Sequence, residues 1–138
     1  MKEEKESIIK MRTYEFALKI IEVYKTLKTK KEYVISKQLL KAGTSIGANV
    51  EEALAGQSRA DFLSKMSIAS KEAREANYWL RLIMDSKFLE DHHINALIAE
   101  SSEIIKILTS IVKTTATNNS KLKTRNSKLK THNYLKGG

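Results

Sequence analysis

Seven residues between Phe62 and Ile83, namely Phe62, Met66, Ala69, Ala73, Ala76, Leu80 and Ile83, recur in alternating steps of four and three. Those steps place all seven on one side of a helix, and no strand, with its period of two, can do so. A four-three stripe is also the seam that one helix offers to another, and the three alanines in it allow close approach. Helix-on-helix packing is therefore the framework, and the rest of the chain has to supply partners for this seam.

It supplies three. Ile9, Tyr14 or Phe16, Ala17, Ile20 or Ile21, Tyr24 and Leu27 recur every three or four residues and predict a first helix from about Ser7, its N-cap, to Lys28. Ile35, Leu39, Ala42, Ile46, Val50 and Leu54 form the inward stripe of a second helix over Val34 to Ala55, with Gly56 as its stop. Gly43 and Gly47 lie inside that helix at a cost of about 1 kcal/mol each relative to alanine, which signals a close helix crossing. The third helix starts at Arg59 or Ala60, with Ser58 as N-cap and Asp61 in the first turn, and runs to Ser86. A fourth begins near Asp91 and continues through Ile94, Leu97 or Ile98, Ile104 or Ile105, Leu108 and Ile111 or Val112. The 138 residues contain no proline and only five glycines, so long helices are permitted almost everywhere. Short connections between such helices force neighbours to run antiparallel. The expected fold is all-α: an up-down-up-down four-helix bundle over residues 1–117.

Past Thr117 the pattern collapses into NSKLKTR, NSKLKTH and NYLKGG, repeats of seven that begin at Asn119, Asn126 and Asn133. One leucine per repeat buries too little to hold a helix by packing, so residues 118–138 are expected to be a disordered, basic, low-complexity tail. The charge distribution agrees with that division. All 16 acidic residues precede Asn118, whereas six of the 25 basic ones follow it, leaving 19 basic against 16 acidic residues in the body. Most of the net +9 thus belongs to the tail.

The absence of cysteine excludes disulfides, thiolate metal ligands and a cysteine nucleophile, and it fits a reducing compartment. No run approaches the roughly 18 apolar residues of a membrane span, and the opening MKEEKES is too charged for a signal peptide. A cytoplasmic location is the expectation. No glycine-rich phosphate loop appears, and no histidine has a predictable place beside Ser45, Ser67 or Ser70, so no catalytic apparatus is expected. No cofactor is expected either.

Two constellations remain. Ser45, Asn49 and Glu52 share one face of the second helix, while Glu72, Arg74 and Glu75 lie beside the seam of the third; together they form a candidate polar network fixing the register of the two helices. The competing use of such carboxylates, a metal site, ordinarily needs a Glu-x-x-His pair, and Glu72 is followed three residues later by Glu75 instead. His92 and His93 are adjacent and diverge on a regular helix, and His132 lies in the tail. The second constellation is cationic: Lys25, Lys28, Lys30, Lys31, Lys37 and Lys41 near the first connection, and Lys121, Lys123, Arg125, Lys128 and Lys130 in the tail. These are the candidate nucleic-acid-binding residues. A tail engaging about five phosphates would lose affinity several-hundred-fold between roughly 50 and 200 mM salt. Tyr78, Trp79 and Leu82, with Ile8, Tyr14 and Ile21, give the third and first helices apolar surface beyond a single stripe, which argues for a subunit interface.

The strings SIGANVEEA, DFLSKMSIASKEAREANYWLRL and EIIKILTSIVKT resemble the four-helix bundle family known as 23S rRNA-intervening-sequence proteins, over about Ile8 to Thr114. The element that carries the likeness is Asn49 and Glu52, followed by Asp61-Phe62 and Glu75. The family's serine three positions before the helix-three glutamate is Glu72 here, so that serine's role does not carry over. The resemblance implies a homopentamer of four-helix protomers, some of them encoded within inserts in large-subunit rRNA genes, most without an established activity. A related branch, the accessory protein of diversity-generating retroelements, partners a reverse transcriptase and binds nucleic acid through a basic surface. The leading expectation is a non-enzymatic oligomer that binds RNA or other nucleic acid. The alternatives are a protein-interaction scaffold, for example for a polymerase, and a carboxylate metal-binding bundle.

Overall fold

The computed structural model describes the backbone of residues 2–89 and 92–136, and side chains as far as 127 except 119 and 123. Four helices follow in order: α1 over Lys2–Thr29, α2 over Ile35–Ala55, α3 over Arg59–Asp85 and α4 over His92–Lys136. The helix α2 packs against α3 most extensively, α3 against α4 and α1 against α2 nearly as much, and α1 against α4 least. Neither diagonal pair is in contact among the described residues, so the bundle is four-sided and alternates up and down in chain order.

The α3 seam is buried from Met66 through Ile83, and Phe62 at its start is half-buried. Leu39, Ala42, Ile46 and Val50 meet it from α2, and Ile94, Leu97, Ile104 and Leu108 from α4. On α1 the core takes Ile9, Phe16, Ile20 and Leu27, so Phe16 and not Tyr14 faces inward. The two glycines of α2 serve α1. A Cβ on Gly43 would lie 2.8 Å from both γ-carbons of Ile20, and one on Gly47 would lie 3.4 Å from the backbone of Thr13. Thr13 itself is buried with its hydroxyl donated to the Ile9 carbonyl at 2.8 Å, which satisfies the polar atom inside its own helix.

The helix α1 begins five residues before the expected start, and Ser7 is an exposed residue within it rather than its N-cap. Glutamate and lysine are strong helix formers, and Glu3 and Glu4 in the first turn complement the helix dipole, so nothing in MKEEKES stops the helix. Asp91, the expected start of the fourth helix, lies outside the described residues. At the other extreme α4 does not end near Thr117 but continues through Lys136. The described side chains of the heptads are exposed, yet the heptads contain no proline or glycine until Gly137, so a helix already nucleated in the bundle meets no breaker. Past Val112 no described side chain belongs to the hydrophobic core.

The two turns at one end of the bundle are built alike. After α1, Lys31 adopts φ 64°, its N–H reaches the Lys28 carbonyl at 2.9 Å, and the Glu32 N–H reaches that of Leu27 at 2.9 Å. After α3, Lys87 adopts the same φ, with its N–H on the Met84 carbonyl at 3.1 Å and that of Phe88 on Ile83 at 3.2 Å. Each is a left-handed helix stop with lysine where glycine is usual. Glu32 then folds back to cap α2: its carboxylate accepts the N–H groups of Val34, Ile35 and Ser36 at 3.0, 2.8 and 2.7 Å. Burial alone would raise its pKa, but those three bonds, with the Ser36 side chain adding to them, hold it below the ordinary 4.5. At the opposite end Ser58 accepts the Asp61 N–H at 3.0 Å and caps α3, as expected. Gly56, the stop of α2, is extended and not left-handed, and the nearby Asp61 carboxylate leaves no room there for a Cβ.

Candidate functional site: the cation-rich ends of the bundle

The polar network expected between α2 and α3 does not form. Ser45 donates to the Ala42 carbonyl at 3.3 Å and Asn49 to the Ser45 carbonyl at 2.8 Å, both within α2. Glu75 accepts the Trp79 indole N–H at 3.2 Å within α3, and half-buried Glu72 has no hydrogen-bond or ion-pair partner among the described residues. Glu52 is exposed and meets Lys65 at 3.2 Å, the one member of the set that reaches from α2 to α3. Arg74 reaches Thr109 on α4 at 3.1 Å. Short polar side chains on a helix find the carbonyl one turn back before they find a neighbouring helix, so a shared face did not become a shared network. Nor do three of His, Asp and Glu converge closely enough among the described residues to hold a metal ion.

A polar link across helices does exist, between α3 and α4. Asn77 donates to the buried Ser101 hydroxyl at 2.8 Å while its own carbonyl oxygen accepts Arg81 at 2.9 Å. Spacing alone gives no sign of it, because its members come from two helices and each stands singly on its face.

The cations separate into two groups. Lys25 and Lys28 lie in the last turns of α1, Lys30 and Lys31 in the turn after it, and Lys37 and Lys41 follow one turn apart at the start of α2, all at the end that carries the two left-handed stops. Lys30 donates to the Phe88 carbonyl at 3.4 Å and Lys28 lies 5.3 Å from the Tyr24 ring centre, while Lys25 pairs with Glu22 at 3.2 Å. Lys121 and Arg125 belong to the opposite end, about 40 Å away by the rise of the 27-residue α3. The side chains of Lys123, Lys128 and Lys130 lie outside the described residues. The two lysine clusters are therefore not brought together.

The second end recruits cations that the sequence reading overlooked. Lys2 and Lys5 share a face of α1 because that helix begins at Lys2, and they stand with Arg59 around a groove of about 570 Å³. A smaller concavity of about 290 Å³ adjoins it, lined by Arg59, Lys121 and Arg125. An earlier start for α1 was the only sequence signal for Lys2 and Lys5; their meeting with Arg59 is a product of the fold. Elsewhere on the bundle Lys10, Lys19, Lys65 and Lys106 each meet a carboxylate, at 4.0, 3.0, 3.2 and 3.3 Å. None of Lys28, Lys31, Lys37, Lys41, Lys2, Lys5, Arg59, Lys121 and Arg125 does so among the described residues. No described helix is long and apolar enough to cross a membrane.

Comparison with known proteins places this architecture. No curated protein matches the chain. The crystal structure of a protein with unknown function from the S23 ribosomal protein family of Bacteroides thetaiotaomicron is similar to it, at 45% identity and a TM-score of 0.76. That likeness covers 79% of this chain and 98% of the other. The 23S rRNA-intervening sequence proteins match residues 5–110, which span all four helices and stop short of the cationic extension. A four-helix bundle with that match over most of its length is a member of the 23S rRNA-intervening sequence protein family.

Proposed function

We propose that the chain is a non-enzymatic, oligomeric bundle that binds RNA or another polyanion at its cation-rich ends. The observation that carries this reading is the pairing pattern: Lys10, Lys19, Lys65 and Lys106 along the bundle each meet a carboxylate, whereas at the two ends Lys25 alone of the described candidate cations does so. Exposed cations without carboxylate partners can neutralise backbone phosphates and release the counterions condensed on a nucleic acid. Support for oligomerisation comes from α1, where Ile8, Met11, Tyr14 and Leu18 lie on one side of the helix and are 40 to 58% exposed. A cytoplasmic location fits this reading.

Fluorescence anisotropy with labelled single-stranded and structured RNA at 50 and 200 mM salt tests the binding. For a single strand the slope of log K on log salt is about −0.7 per phosphate contacted, so five contacts predict a loss of roughly a hundredfold. No affinity at low salt refutes the proposal, and unchanged affinity after removal of the residues beyond Thr117 refutes the part assigned to the extension. Sedimentation velocity tests the assembly, with Leu18→Glu expected to dissociate it. The same α1 stripe supports the second reading, a scaffold for a protein partner; a nuclease-resistant copurifying protein, released by Leu18→Glu, would favour that reading over RNA.

A further inference from the structure

The two ends share the sign of their charge, and the one where α3 starts combines its cations with an apolar cleft. Phe62 and Ile111 line its floor, and Lys2, Lys5 and Arg59 stand around it, with Glu6 the one carboxylate in the lining. The Lys2 ammonium, which also lines the groove, stands over the Phe62 ring, 6.0 Å from its centre. Arg59 and Asn118 are shared with the adjoining concavity, where Lys121 and Arg125, one turn apart on α4, continue the line of positive charge. The volume of about 570 Å³ falls in the range of roughly 300 to 1,000 Å³ that holds small ligands.

These features select among polyanions. A duplex keeps its bases stacked inside and offers phosphates, sugars and base edges but no free base face, which would leave the aromatic side chain without a stacking partner. An acidic peptide offers carboxylates but no flat ring to lie on it. A single strand offers both, because its unpaired bases stack on aromatic side chains while the backbone follows a positive groove. We propose that this groove seats one unpaired nucleotide, with the base against Phe62 and Ile111 and the phosphates along Arg59, Lys121 and Arg125. The inference rests on the polyanion reading and adds a seat and a chemistry to it. Arg59 and Phe62 lie within the span matched by the family and Lys2, Ile111, Lys121 and Arg125 outside it, so the site joins the shared bundle to residues beyond it.

The test uses the full chain and four probes: a labelled ten-residue oligoadenylate, a duplex of the same length, and adenosine 5′-monophosphate and polyglutamate as competitors. Phe62→Leu keeps an apolar side chain against the core and removes the ring. It should weaken the single strand at least about fivefold and leave the duplex unchanged. Arg59→Gln, an exposed position, should weaken the strand and lower its salt slope by roughly one, whereas Lys37→Gln at the opposite end should leave the Phe62 effect intact. Competition by the mononucleotide supports a site open to a free nucleotide; a strand that binds through Phe62 without such competition supports a site for a nucleotide within a chain. Single-strand binding indifferent to both Phe62→Leu and Arg59→Gln overturns the groove and leaves the polyanion reading standing. Equal loss on strand and duplex, or equal displacement by polyglutamate, overturns the base seat. No binding of any probe at 50 mM salt overturns both.

Discussion

Gly43 and Gly47 lie one turn apart on α2 and face the same helix, yet alanine should act in opposite directions at the two. In a helix interior alanine is favoured over glycine by about 1 kcal/mol. At Gly47 the new Cβ would lie 3.4 Å from the Thr13 carbonyl and hydroxyl oxygen, an ordinary contact distance, so Gly47→Ala should stabilise the protein by about 0.5 to 1 kcal/mol. At Gly43 it would lie 2.8 Å from both γ-carbons of Ile20 and 3.1 Å from its Cβ. Ile20 is fully buried and β-branched, so its χ1 is fixed by its own helix and it has no free space to turn into. The helices must part, at the cost of about 1 to 3 kcal/mol that overpacking carries, and the net effect is a loss of about 1 kcal/mol. Urea unfolding at one fixed protein concentration measures both, since association would otherwise shift the midpoints. In an Ile20→Ala background both γ-carbons are gone, and Gly43→Ala should turn neutral or stabilising, a coupling of more than about 1 kcal/mol. Equal stabilisation by the two alanines, or a Gly43→Ala effect indifferent to Ile20→Ala, would show that contact with α1 is not what requires the glycine.

Three further outcomes follow from the caps and the α3–α4 link. Glu32→Ala leaves three N–H groups of α2 without their carboxylate and should cost about 1 to 2 kcal/mol near pH 7. Because the folded carboxyl is held below 4.5, its contribution is complete above that value and fades as pH falls through the folded pKa, so the gap between wild type and variant in urea titrations should narrow as pH falls below 4.5. Lys87→Gly relieves a left-handed lysine and should raise stability by about 0.5 to 1 kcal/mol; a lower melting temperature would contradict the stop described for α3. Ser101→Ala removes the 2.8 Å acceptor of Asn77 and should cost about 1 kcal/mol in the same urea assay, with a neutral result arguing that the link contributes nothing.

The α3 seam and the α2 stripe were legible because a four-three spacing admits one buried face and the residues on it are all apolar. The first helix was less so: Tyr14 and Phe16 compete at nearly the same place, and only packing decides that Phe16 goes inside while Tyr14 joins the exposed side. Gly43 and Gly47 announced a close crossing without naming the partner, since a missing side chain has no preference for the α1 side over the α3 side. Composition argued against a helix beyond Thr117, but composition weighs burial and does not weigh continuity with a helix already formed. For the site, spacing grouped the lysines around the first turn and the cations of α4 separately. The groove was out of reach, since Lys2, Arg59 and Ile111 are brought together by three helices and by no local pattern.

The projecting part of α4 gives the molecule a polarity. It leaves the bundle at the pole where α1 starts and α3 begins, and the other pole is closed by two matching turns. Copies related only by rotation about an axis along the bundle would all point the same way, because rotation about that axis cannot invert a rod. Every arm would then rise from one rim, gathering positive potential on a single face and leaving the turns to form the reverse side.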